Sequence, residues 1–137
     1  MPSCRFGSHN RLNEFSVQGN HLHLILEANS SDSLSRGMQG LCIRIARALN
    51  RLMARKGHVF ADHFHSRLLL SPTEVMRAIQ YVLLNHRKHY GSTGDDPYAS
   101  TALSPAQRGE VLARPVTWLL RGGWRNAQRW NETRVSD

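Results

Sequence analysis

The residues of this chain best suited to chemistry are two histidines separated by one residue, His21 and His23. They lie in the run from Gly19 to Leu26, whose alternating side chains are typical of a short β-strand entered through a tight turn. Residues two apart in a strand lie on the same face, so both imidazoles should point the same way and can bind one metal ion. The alternative is that both histidines lie on a solvated strand face.

The same alternation predicts which side of the strand is buried. Ile25 should lie beyond the histidines on their face, while the leucines should point to the opposite face and be buried there: Leu22, Leu24 and Leu26. The preceding residues, Leu12 to Gln18, form a second predicted strand, and Gly19-Asn20 supplies the turn. The sequence therefore predicts a hairpin.

A later helix carries a second set of polar groups. Ser71-Pro72-Thr73-Glu74 is a capping box with proline at the first helical position, and it predicts a helix to about His89 that stops at Gly91. Tyr81 falls on the polar face, and Asn85 lies one turn further on, where its amide oxygen can join the histidines around a metal ion. The alternative is a half-buried tyrosine with its hydroxyl in water. The predicted buried face comprises Val75, Ile79, Val82, Leu83 and His86.

Between these segments lies a longer predicted helix with a basic face. Asn29-Ser30-Ser31-Asp32 offers N-cap candidates, and the helix is predicted to run to Lys56 with Gly57 as its C-cap. No acidic residue occurs from Ser33 to Lys56, whereas a solvated helix face usually mixes charges of both signs. The basic residues predicted to contact a polyanionic partner are Arg44, Arg47, Arg51 and Arg55 here, followed by Arg67, Arg77 and Lys88. The alternative for this helix is an ordinary solvated charged face.

The composition points to a polyanionic partner. The chain has 137 residues, 18 Lys+Arg against 10 Asp+Glu and a formal net charge of +8. This excess favours nucleic acid over a neutral metabolite or a membrane. Two cysteines are too few for a disulfide framework, and neither a signal peptide nor a membrane-spanning stretch is evident, so we expect a cytoplasmic protein.

The remaining segments complete the predicted organisation. Residues 1–11 are a loose N-terminal arm, residues 12–91 the domain that carries the candidate site, and residues 92–137 a linker and a basic tail with one short helix near Pro105. His58 to Leu70 has strand character and carries a second spaced pair, His63 and His65. The tail interleaves tryptophans with arginines, a pattern that can stack on unpaired bases, although Trp118 can instead simply cover the sheet.

These motifs together resemble one family. The combination of Asn20-His21-Leu22-His23-Leu24-Ile25, Gly57-His58-Val59-Phe60 and Tyr81-Val82-Leu83-Leu84-Asn85 is similar to the HUH single-tyrosine transposases, and most to their REP-associated branch. The resemblance covers about residues 15–90. It implies an α+β, ferredoxin-like antiparallel sheet packed by helices.

The resemblance also implies a site and a reaction. His21, His23 and Asn85 would hold Mg²⁺ or Mn²⁺, and Tyr81 would be the nucleophile that cleaves and rejoins single-stranded or hairpin DNA through a 5′-phosphotyrosine intermediate. It does not make His63 a metal ligand. Two other interpretations stay open: an inactive nucleic-acid-binding remnant, and a metal-dependent nuclease that uses water.

One departure from the family concerns the N-terminus. Relatives place a strand and a helix before the histidine hairpin, whereas about a dozen residues precede Leu12 here. The resemblance therefore predicts an N-terminally truncated member with the first strand and helix missing. The histidine strand would then have an unpaired edge, which the N-terminal arm or another chain, such as a second copy in a homodimer, would fill.

Overall fold

A computed structural model describes residues 9–90 and 98–135, with side chains described for 9–83 and 98–129. Within these ranges the chain is α+β, with a two-stranded sheet and helices α1 to α4. The strands are β1 (Asn10–Gln18) and β2 (His21–Ala28), and the helices are α1 (Ser31–Leu52), α2 (Pro72–Tyr90), α3 (Pro105–Val111) and α4 (Trp124–Val135). A 3-10 turn at Ser100–Ala102 and a π-helical turn at Leu119–Gly123 complete the elements.

The predicted hairpin is confirmed. β1 and β2 pair across Gly19-Asn20, and Gly19 has a φ of 32°, in the region that glycine adopts without strain. β1 begins at Asn10, two residues before the predicted start. The predicted loose arm is therefore wrong for Asn10 and Arg11, which belong to β1, and its residues 1–8 lie outside the described residues.

Burial on β2 differs from the prediction. Ile25 is 4% exposed and Glu27 is 6% exposed, and both share the face of the histidines. The three leucines of the opposite face are only half-buried. The prediction was wrong because leucine was expected to mark the buried face, whereas hydrogen bonds to the C-terminal segment bury the carboxylate of Glu27.

Helix α1 begins as predicted and ends early. Ser30 is its N-cap, exchanging reciprocal hydrogen bonds with Ser33. The helix stops at Leu52 rather than Lys56 because Ala54 takes a left-handed conformation with a φ of 50°. The Arg55 N–H then donates to the Asn50 carbonyl at 2.9 Å, which is the closing hydrogen bond of a Schellman motif. The predicted C-cap at Gly57 is therefore wrong, although Gly57 also has a positive φ.

The segment from His58 to Leu70 contains no strand, so that prediction is wrong. Its large apolar side chains include Leu68 and Leu70, which are mostly exposed. Apolar and aromatic content alone favours a strand, but a strand also needs a pairing partner.

Helix α2 follows the prediction closely. It begins at Pro72, the Glu74 N–H donates to the Ser71 hydroxyl at 3.3 Å, and the Glu74 carboxylate accepts the Leu70 N–H at 2.7 Å. Val75, Met76 and Val82 are buried, while Ile79 and Leu83 are half-buried. The position predicted for His86 lies outside the described side chains. The backbone of α2 packs against α4 and the π-helical turn.

The described residues form two units. The hairpin unit contains Arg11–Glu27 and the described residues from Leu69 onward, and the α1 unit contains His9, Asn10 and Ala28–Leu68. The predicted short helix near Pro105 is confirmed as α3. Within the described ranges, no helix is both long enough and apolar enough to cross a bilayer.

Candidate functional site

The hairpin unit brings the two histidines and the tyrosine together. The ring centroids of His21 and His23 lie 6.0 Å apart, and their planes are within 6° of parallel. The ring of Tyr81 meets His23 edge to face, with 5.1 Å between centroids and an interplanar angle of 83°. Residues 58 positions apart in sequence are thus in direct contact.

Secondary structure explains this contact. The strand alternation of β2 directs both imidazoles to one face, and α2 packs its apolar side inward while presenting Tyr81 outward. Tyr81 is 54% exposed and His23 is half-buried. The phenol is therefore accessible to a large ligand and its ring is held by the neighbouring imidazole.

The donor set suits a divalent ion only in part. An ion lies in the plane of each imidazole that ligates it, about 2.0–2.1 Å from the ring nitrogen. Two rings with centroids 6.0 Å apart can share an ion when one nitrogen of each ring is directed at a common point.

A metal ion bound by the two imidazoles would need further ligands. In the described part of the chain, no group of three or more His, Cys, Asp or Glu side chains is placed to hold a metal ion. Asn85 belongs to α2 one turn beyond Tyr81, and its side chain lies outside the described residues. Two imidazoles leave coordination positions for an amide oxygen and for phosphate oxygens.

Glu27 holds the C-terminal segment against the histidine strand. Its carboxylate accepts the Val116 N–H at 3.0 Å, the Thr117 N–H at 2.7 Å and the Asn13 amide N–H at 3.1 Å. Burial raises the pKa of Glu27, but the hydrogen bonds from Thr117, Val116 and Asn13 outweigh it and leave the pKa lowered. No sequence motif marks Glu27, although it shares the face of the histidines.

The C-terminal segment also covers the outer edge of β1. Ser16 forms an antiparallel bridge with Ala99, and the Ala113 N–H donates to the Leu12 carbonyl at 2.8 Å. Ser100 is fully buried, and its hydroxyl donates to Glu14, which also pairs with Arg108 at 2.7 Å. These contacts tie residues 98–117 to the hairpin that carries the histidines.

The predicted DNA-contacting residues fall in both units. Arg44, Arg47 and Arg51 are exposed on one face of α1, at positions three and four apart. Arg55 lies beyond the end of the helix, where its guanidinium donates to the His58 carbonyl at 3.2 Å, so its predicted place on the helical face is wrong. Arg67 is exposed in the following segment. Arg77 is exposed on α2, and the side chain of Lys88 is outside the described residues.

The second histidine pair lies in a different environment. His63 and His65 are exposed in the α1 unit, on a segment without regular secondary structure. Unlike His21 and His23, they are not held on one face by a strand.

Comparison with known proteins adds no relative. No family model, no curated protein and no solved structure matches this chain. Function is therefore inferred from the geometry of the chain itself.

Proposed function

We propose that the chain is a DNA strand transferase of the HUH single-tyrosine type, acting on single-stranded or hairpin DNA. In this proposal the hairpin and α2 belong to a ferredoxin-like HUH fold. The observation that supports it most is the contact between His23 and Tyr81, with their ring centroids 5.1 Å apart. A strand and a helix distant in sequence thereby bring the ring of Tyr81 against the imidazole of His23, which itself neighbours His21.

Tyr81 is the nucleophile in the proposed reaction. Its oxygen bonds to the scissile phosphorus while the bond from phosphorus to the 3′ oxygen breaks, and the phenolic proton passes through solvent to the released 3′-hydroxyl. The product is a 5′-phosphotyrosine, which keeps the energy of the ester. A second 3′-hydroxyl can then reverse the step and join strands without an external energy source.

The residues around the phenol have positioning roles. His23 holds the tyrosine ring by its edge contact, and 54% exposure of Tyr81 leaves access for a DNA strand. A phenol is a weak nucleophile at neutral pH and needs assistance. A divalent ion, Mg²⁺ or Mn²⁺, held by His21, His23 and Asn85 would withdraw charge from the scissile phosphate.

The test is the formation of a covalent adduct. The full chain is incubated with Mn²⁺ and a pool of end-labelled single strands of random sequence, then denatured and separated by electrophoresis. We expect the parent chain to give a labelled protein band that survives denaturation. Tyr81→Phe, which keeps the ring and removes the hydroxyl, should give no such band. Absence of the band with the parent chain would contradict the proposal.

The two histidine pairs provide a matched control. His21→Ala and His23→Ala should abolish the adduct while leaving DNA binding nearly intact, because the metal acts on the reacting phosphate more than on positioning contacts. His63→Ala and His65→Ala should leave the adduct unchanged. Equal adduct yield with and without EDTA would exclude the metal from the reaction.

The rival interpretations give different results in the same assay. Cleavage that persists in Tyr81→Phe would indicate a metal-dependent nuclease that uses water. Tight DNA binding with neither cleavage nor adduct would indicate an inactive binding protein.

A further inference from the structure

Trp118 has an unusual position for a tryptophan. It stands at the start of the C-terminal helical segment, immediately before the π-helical turn Leu119–Gly123, and it is 63% exposed. The alternative from the sequence, that this side chain covers the sheet, would require it to be buried. π-helical turns are rare in proteins and occur frequently at functional sites.

The indole ring lies across Gly123. A Cβ atom built on this glycine would be 2.8, 2.8 and 2.9 Å from three consecutive atoms of the six-membered ring, Cε3, Cζ3 and Cδ2. Nearly equal distances to three bonded ring atoms mean that the glycine faces the plane of the ring rather than its edge. One face of the indole is therefore seated on backbone, and this close approach requires a residue without a side chain.

The chain segment that contains Trp118 is strongly basic in sequence, and the one carboxylate bonded beside it, Glu27, is taken up by the backbone N–H groups of Val116 and Thr117. The segment from Val111 to Arg129 contains four arginines and no acidic residue. Arg114, Arg121 and Arg125 are exposed, and the guanidinium of Arg125 lies over the ring of Trp124 at 5.4 Å from its centroid. An exposed aromatic ring among arginines suits a ligand that has both a flat ring and a phosphate.

We propose that the exposed Trp118 indole, seated on Gly123, stacks on an unpaired base of single-stranded DNA while the neighbouring arginines contact its phosphates. This inference rests on the proposed function, because a strand transferase has to hold unpaired DNA near Tyr81. The π-helical turn next to Trp118 packs against α2, the helix that carries Tyr81. Because backbone already restricts one face of the Trp118 indole, the side chain loses little conformational entropy when a base stacks on the other face.

The experiment measures binding separately from cleavage. Affinities for a fluorescein-labelled oligo-dT strand, and for its duplex with oligo-dA, are measured by anisotropy in the Tyr81→Phe background. Trp118→Ala should weaken single-strand binding roughly 5- to 150-fold, the range for loss of one base–aromatic stack, and should change duplex binding little. Trp118→Phe should retain part of the affinity, whereas Trp118→Leu, which is apolar without a π-face, should not.

Val116→Ala is the matched control, because Val116 is also apolar, exposed and close in sequence. It should leave both affinities unchanged. Equal losses on single strand and duplex, or no loss in Trp118→Ala, would overturn the inference even if the adduct forms. Trp118-dependent single-strand binding without any adduct would support the inference and contradict the proposed function. Trp118-dependent binding to anionic vesicles without single-strand binding would overturn the inference.

Discussion

Glu27 shows how one side chain stabilises the arrangement of distant segments. Its carboxylate accepts hydrogen bonds from the N–H groups of Val116 and Thr117, which are 89 and 90 positions away in the sequence. The charge of Glu27 therefore contributes to the stability of the unit that contains the candidate site.

Replacement of Glu27 should destabilise the protein in a pH-dependent way. Glu27→Gln should lower the free energy of unfolding at pH 7 by about 1–3 kcal/mol, because hydrogen bonds to a charged acceptor are lost. The pKa of Glu27 is lowered in the folded state from its usual 4.5, so the stabilisation is present above that value and is lost as the pH falls through the folded pKa. Urea unfolding of Glu27→Gln and of the parent chain at neutral and acidic pH measures this stabilisation.

Glu110→Gln is the control for this prediction, because Glu110 is exposed on α3. Its unfolding free energy should differ little from that of the parent chain at either pH. A difference between Glu27→Gln and the parent chain that is independent of pH would contradict the electrostatic explanation.

The end of helix α1 illustrates local backbone strain. Ala54 occupies the left-handed position of the Schellman motif, which usually takes glycine. Ala54→Gly should raise the free energy of unfolding by up to about 1 kcal/mol, because a residue with a Cβ is strained there. Ala48→Gly, in the exposed interior of the same helix, should lower it by about 1 kcal/mol. Chemical denaturation of both variants tests these two predictions. A lower free energy of unfolding in Ala54→Gly than in the parent chain would contradict the explanation by backbone strain.

The elements near the site could largely be predicted from local sequence signals. The Gly19-Asn20 turn, the alternation of β2 and the capping residues Ser71 and Glu74 act over a few positions, and the structure has a hairpin and a helix there. One local feature, the end of α1, was not predictable in this way. The end of α1 depends on Ala54 adopting a left-handed conformation that composition does not indicate.

Two other features were missed because they depend on nonlocal contacts. The burial of Glu27 depends on residues 116–117, and the covering of the β1 edge depends on residues 98–100. Both contacts join segments more than 80 positions apart, and no short-range sequence pattern indicates them. The contact between His23 and Tyr81 was anticipated from the family resemblance, since neither motif alone determines their separation.

The net charge of the whole chain predicts how it should respond to salt. A formal charge of +8 and exposed arginines in both units favour binding through phosphate contacts. The logarithm of the single-strand binding constant should fall with the logarithm of the salt concentration by roughly 0.7 for each neutralised phosphate. Anisotropy titrations over a range of NaCl concentrations measure the slope, and a flat dependence would point to a small or neutral ligand.

The most direct measurement identifies the residue that carries DNA in the covalent adduct. Trypsin cleaves after Arg77 and Arg87, and residues 78–87 contain Tyr81 as their single tyrosine, whereas Tyr90 and Tyr98 follow Lys88. Mass spectrometry of the nuclease-trimmed, trypsin-digested adduct should find the nucleotide on the peptide of residues 78–87. A nucleotide on the peptide that contains Tyr90 and Tyr98, or no modified peptide, would contradict the assignment of Tyr81 as the nucleophile.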